Sequence, residues 1–170
     1  MIQKCSYIKV LEVFFKEPTK IHFIREISKS ISLAQTSVRN HIKELEKENL
    51  IIKKESRPFN GFVANHENEK FLFYKQAYNL YSLFDVKNII INKIAPKTLI
   101  FFGSYQRGED IEWSDIDLLA VSKVKKEIDL EKYEKKLLRK LHVTFIKDIS
   151  ELEGSVKDNV KNGWVLYGRI

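Results

Sequence analysis

The sequence predicts an α+β chain built in two parts, and three observations carry this. Over residues 5–48 apolar residues recur at three- and four-residue spacing, the period of a helix with one buried face. Asn60-Gly61 lies between two short extended runs, as a hairpin turn would. From Lys97 onward, short apolar runs alternate with amphipathic segments, so strands take turns with helices.

The elements follow in order. In "CSYIKVLEVFFKEP" Ile8, Leu11, Phe14 and Phe15 share one helical face, and Pro18 ends the helix. "KIHFI" reads as a short strand and "REISKSI" as a short helix. "SLAQTSVRNHIKELEKENL" is a longer helix with Val38, Ile42 and Leu45 inward and Gln35, Thr36, Arg39, Asn40 and Lys43 outward. "LIIKKESRPFNGFVAN" gives two strands around the Asn60-Gly61 turn, with Lys53, Lys54 and Arg57 beside it. The helix "ENEKFLFYKQAYNLYSLF" carries Phe71, Tyr74, Tyr78 and Tyr81 at helical spacing, a stripe suited to a core or a dimer seam. Asp85 reads as the cap of a further helix, "VKNIIINKI". Strands are expected at "KTLIFFG", "SDIDLLAV" and "HVTFIK", and helices at "LEKYEKKLLRKL" and "ISELEGSVKDNVKNG", before the short apolar "WVLYGRI".

Composition bounds the answer. The 170 residues are 44% hydrophobic and 12% aromatic, enough for one ordinary domain or two small ones with real cores, and not a disordered composition. No apolar run nears the roughly 20 residues of a membrane span, and the first residues lack the h-region of a secretory signal. A soluble cytoplasmic protein is the expectation. One cysteine, Cys5, excludes an intrachain disulfide. The net charge of +7 is uneven: residues 1–66 carry 12 Lys+Arg against 7 Asp+Glu, and residues 67–170 carry 18 against 16. The first part is the better candidate for an anionic polymer.

Helix, strand, helix, helix, hairpin is the element order of a winged helix-turn-helix domain, and residues 2–66 resemble that family. Gln35, Thr36, Arg39, Asn40 and Lys43 would then face base edges in a major groove, and Lys53, Lys54 and Arg57 would neutralise phosphates. A polar outer face is also what any surface helix carries, and winged helices serve as protein-contact modules too. The expected division is 1–66 for this domain, 67–85 for a linking helix and 86–170 for a second domain.

The second part contains "FFGSYQRGEDIEWSDIDLLAV". A strand ending in Gly103-Ser104 lets backbone amides and a small hydroxyl approach a phosphate. Asp115 and Asp117, two apart on a strand, point to one face and suit Mg²⁺, which bridges carboxylates to nucleotide phosphates. Arg107 in the intervening loop has a guanidinium to offer a triphosphate. Trp113 is a loop indole, for stacking on a base or packing on its own domain.

This spacing, Gly-Ser, ten residues, then Asp-x-Asp, resembles the minimal nucleotidyltransferases of the DNA polymerase beta superfamily over roughly residues 86–170. The resemblance implies a small mixed sheet flanked by helices. It also implies transfer of a nucleoside monophosphate from an NTP, with ATP expected, to a protein or small-molecule hydroxyl. It assigns Gly103 and Ser104 to nucleotide phosphates and Asp115 and Asp117 to Mg²⁺. Minimal members paired with HEPN-type toxins adenylylate a protein tyrosine, so Tyr105 and Tyr167 are acceptors by analogy only.

One departure stands out. The family carries a third carboxylate on the next strand, and the matching run Val143-Thr144-Phe145-Ile146 places Thr144 there. Threonine cannot act as a carboxylate base. His142, on the same face, is the fallback catalytic base, with Asp148 beyond it; a surface imidazole and a helix cap are their plainer readings. Three functions therefore compete: an NTP-dependent transferase with a DNA-contacting winged helix, a DNA-binding regulator that senses nucleotide without turnover, and an antitoxin-type partner of a HEPN-like toxin. A homodimer on a palindromic duplex fits the first two.

Overall fold

A computed structural model describes residues 5–57 and 59–169. The chain divides into two compact units, Met1–Lys75 and Gln76–Ile170, and the division falls inside helix α4, Glu69–Ser82. Among the described residues no helix is long and apolar enough to cross a membrane.

The first unit holds helices α1 (Ser6–Lys16), α2 (Ile24–Ser30) and α3 (Gln35–Lys47), then strands β1 (Ile51–Lys54) and β2 (Gly61–Ala64). α1 and α2 both pack on α3. Val10, Leu11, Phe14, Phe15, Ile27, Val38, Ile42 and Leu45 are buried, as their helical spacing requires. "KIHFI" does not form a strand. Only His22 bridges, exchanging backbone hydrogen bonds with Phe62 at 2.8 and 2.9 Å, because Phe23 already caps α2.

The hairpin also differs from expectation. β1 and β2 pair antiparallel with Lys54 opposite Gly61, so six residues connect them and Asn60-Gly61 makes no two-residue turn. Gly61 is required for a different reason. A Cβ there would collide with the Ile21 side chain and stand 3.0 Å from the His22 carbonyl oxygen.

The second unit adds α5 (Phe84–Ile94), β3 (Thr98–Phe102), α6 (Gly103–Arg107), β4 (Ile116–Val121), α7 (Glu131–Leu137), β5 (Leu141–Ile146), α8 (Gly154–Lys161) and β6 (Trp164–Gly168). Asp85 does not cap α5: Leu83 holds that position, and the Asp85 carboxylate accepts from Lys136 Nζ at 2.9 Å. The strands form one mixed sheet in the order β5-β4-β3-β6, with β4 and β5 parallel and the other pairs antiparallel. The parallel pair needs a crossover, which α7 supplies.

Alternation along the strands sorts the side chains. Leu99, Phe101, Ile116, Leu118 and Ala120 join Leu83, Val86, Ile90 and Ile94 in one core. On the opposite face Ile100, Phe102 and Leu119 pack with Leu152 and Val160. Asp117 and His142 belong to that second face, since each alternates with residues of the first core.

Candidate functional site

β3 is buried at all five positions and delivers the chain to Gly103, which opens α6. The backbone there has φ +84°, a conformation that strains any residue with a Cβ. Space forbids a side chain as well. Phe102 pairs with Asp117 across the antiparallel ladder, and a Cβ on Gly103 would stand 2.5 Å from Asp117 Oδ2. The glycine turn and the carboxylate are thus in direct apposition. Ser104 follows, half-buried; Asp115 is exposed immediately before β4, and Asp117 is half-buried within it.

The Asp117 carboxyl titrates above the usual carboxylate range. Burial is the main cause, His142 opposes it, and the charge of Asp115 adds to it. Two neighbouring carboxylates, one partly desolvated, favour a cation between them. Among the described residues no three His, Cys, Asp or Glu side chains converge to hold a metal ion. The donor set present, two carboxylates beside a glycine cradle, suits a hard cation that takes its other ligands from phosphate and water.

The register of β4 and β5 places the two residues that share this face of β5. His142 stands on the rung beside Asp117, whereas Thr144 stands beside Leu119, two rungs further along. The rung neighbour of Asp117 is therefore an imidazole, and Thr144 lies two residues further along the same face. Asp148 is a cap: its side chain accepts from Ser150 N at 3.0 Å and Ser150 Oγ at 2.8 Å, which holds its carboxyl below the usual range.

Residues 85–167 match the family model of the nucleotidyltransferase domain. The match starts in α5 and ends within β6, so it takes in the four-stranded sheet except for Gly168. No curated protein matches the chain. The nucleotidyltransferase domain brings nucleotidyl transfer as its class of chemistry.

A buried polar network that the sequence did not announce braces this domain. Asp110, in the loop after α6, is fully buried; it accepts from Asn79 Nδ2 at 2.8 Å and pairs with Arg139 Nη2 at 3.3 Å. Asn79 also donates to the Tyr105 carbonyl at 2.7 Å, and Gln76 to that of Arg107 at 2.9 Å. The turn carrying Gly103-Ser104 is held at its far end, and Arg139 lies three residues before His142. Sequence reasoning missed Asp110 and Arg139 because isolated charges default to the surface.

Other candidates fall into place. The Arg107 guanidinium pairs with Glu109 at 2.7 Å. Tyr105 is buried, its hydroxyl 3.1 Å from Ser82 Oγ and its pKa pushed up to about 12 chiefly by burial. It offers no accessible acceptor oxygen, whereas Tyr167 on β6 is exposed. Trp113 is 74% exposed.

In the first unit Gln35, Thr36, Arg39, Asn40 and Lys43 are all exposed, opposite buried Val38, Ile42 and Leu45. Lys53 and Lys54 are exposed on β1 and Arg57 in the loop after it. The acidic end of α3 is occupied elsewhere: Glu44 pairs with His41 at 3.3 Å and Glu48 with Lys70 at 2.5 Å.

Proposed function

We propose that the chain transfers a nucleoside monophosphate, with AMP as the group, from Mg²⁺-NTP to a protein or small-molecule hydroxyl, and that residues 1–66 are a winged helix that contacts duplex DNA. The observation that carries the transferase reading is the apposition of Gly103 and Asp117. A side-chain-free turn pressed against a carboxylate is what a phosphate bridged to a cation requires.

In this reading Gly103 and Ser104 hold the triphosphate, and Asp115 and Asp117 hold the cation. When bound, Mg²⁺ neutralises the phosphate charge and acidifies the attacking hydroxyl. The acceptor oxygen bonds to the α-phosphorus, the bond from that phosphorus to the bridging oxygen breaks, and pyrophosphate leaves. The acceptor proton passes to His142, whose rung adjoins Asp117. Arg107 exchanges its Glu109 partner for the triphosphate.

Calorimetric titration with ATP, with and without Mg²⁺, followed by a pyrophosphate assay on the same samples, tests this. Mg²⁺-dependent binding with pyrophosphate release, both lost in Asp115→Ala and Asp117→Ala, is the expected result. Turnover that survives both substitutions sinks the proposal. A second reading, a DNA-binding regulator with a nucleotide-sensing but inactive domain, is favoured by Thr144 standing where the family's third carboxylate is expected. Mg²⁺-dependent binding without pyrophosphate, together with salt-dependent duplex binding, would establish it.

A further inference from the structure

A cleft of about 480 Å³ adjoins the carboxylate pair within the nucleotidyltransferase domain, and Asp115 forms part of its wall. Two large apolar side chains line it, Trp113 and Leu138, and both are exposed, at 74% and 58%. Leu138 caps α7 in the left-handed region with φ +57°, a position that ordinarily belongs to glycine or asparagine. The backbone therefore bears strain to present a leucine to the cleft, and such strain gathers at functional sites.

The charged walls are largely neutralised in pairs. Glu131 meets Lys135 at 2.6 Å, Glu134 meets Lys140 at 3.3 Å, and Arg139 meets Asp110 at 3.3 Å. Glu134 also accepts from the Leu141 backbone N–H at 2.9 Å. Besides the carboxylates of Glu112 and Asp115, what the cleft offers a newcomer is two apolar surfaces beside a phosphate and cation site. A flat, uncharged group joined to a triphosphate matches those surfaces.

We infer that this cleft is the nucleobase pocket, with the base stacked on Trp113 and covered by Leu138. The inference rests on the transferase reading of the carboxylate pair and adds to it the residues that hold the base. A purine gains more from the indole than a pyrimidine, so ATP binds more tightly than UTP.

The test compares ATP with inorganic tripolyphosphate by calorimetry in constant Mg²⁺, for the wild-type chain, Trp113→Ala and Leu138→Gly. Trp113→Ala is expected to weaken ATP roughly tenfold, the scale of one lost base–aromatic stack, and to leave tripolyphosphate unchanged. Trp113→Phe restores most of the loss. Leu138→Gly relieves the backbone, so weaker ATP binding beside an unchanged or raised melting temperature marks a wall of the pocket and not a folding defect. Equal ATP affinity in Trp113→Ala and wild type overturns the inference. Equal wild-type affinity for ATP and tripolyphosphate overturns it too, while leaving the phosphate and cation site standing. Failure of the wild-type chain to bind either ligand brings down both the site and the pocket.

Discussion

Gly103 and Asp117 face one another across the β3–β4 ladder so closely that a Cβ on the glycine would stand 2.5 Å from the carboxylate oxygen. The same glycine sits at φ +84°. Gly103→Ala therefore meets two penalties. The left-handed backbone costs about 1–2 kcal/mol, and the new methyl group displaces Asp117. Thermal melting is expected to fall by several degrees and Mg²⁺-dependent ATP binding to disappear. Normal ATP affinity in a folded Gly103→Ala protein would falsify the role of this apposition.

Asp117 gives a pH signature. Its carboxyl lies above the usual range chiefly because burial disfavours the charge; the pull of His142 opposes this and the charge of Asp115 adds to it. A raised carboxyl pKa stabilises the fold below the unfolded value, and that benefit is lost as pH rises through the folded value. At pH 7 the ionised group burdens the ligand-free fold. Asp117→Asn is expected to melt about 2 °C higher at pH 7, with the gain gone below about pH 4, while Mg²⁺-dependent binding is lost. Melting curves from pH 3 to 8 decide it; a gain independent of pH rules out the electrostatic cause.

The β4–β5 register separates His142 from Thr144. If turnover is detected, His142→Ala is expected to lower kcat by about 100-fold or more, the usual contribution of a positioned base. Thr144→Ala should stay within about twofold. The reverse order would put Thr144 in the site and shift the register argument with it.

Asp110 and Arg139 are a buried ion pair, their side chains 1% and 3% exposed. Asp110→Ala leaves a guanidinium uncompensated in the interior and is expected to cost about 3–5 kcal/mol in urea unfolding. A loss under 1 kcal/mol would show that water reaches Arg139 more readily than its burial indicates.

On α3, Arg39 and Lys43 are exposed on the face away from the core. If that face meets duplex DNA, the double alanine variant should bind more weakly and show a log–log salt slope shallower by about two. Fluorescence anisotropy across 50–300 mM salt measures this. An unchanged slope places DNA, if it binds, on some other surface.

Long periodic helices and the central strands were legible because burial imposes a period on their residues: Val38, Ile42 and Leu45 in α3, and all of β3. α6 was not, since five residues are too few to show a period and Gly103-Ser104 looks the same at the start of a turn or a helix. Which residue of β5 stands beside Asp117 was also hidden. Parallel register depends on a crossover through α7, and both His142 and Thr144 satisfied the alternation. The Asp110–Arg139 pair joins residues 29 apart, and no local pattern reports a partner at that distance. Asn60-Gly61 misled because the same dipeptide that suits a tight turn suits a tight fit against Ile21.

The sheet order has a consequence for the chain as it is synthesised. β3 lies between β4 and β6, and β6 is the last of the sheet's strands to be made. Until Trp164–Gly168 emerge from the ribosome, the strand that leads into Gly103 keeps one edge unpaired, with an apolar Leu-Ile-Phe-Phe run along it. For the time needed to translate some 60 residues, that run is a template for pairing with any neighbouring nascent chain. Early stop codons in this stretch would therefore yield sticky fragments and not merely inactive ones.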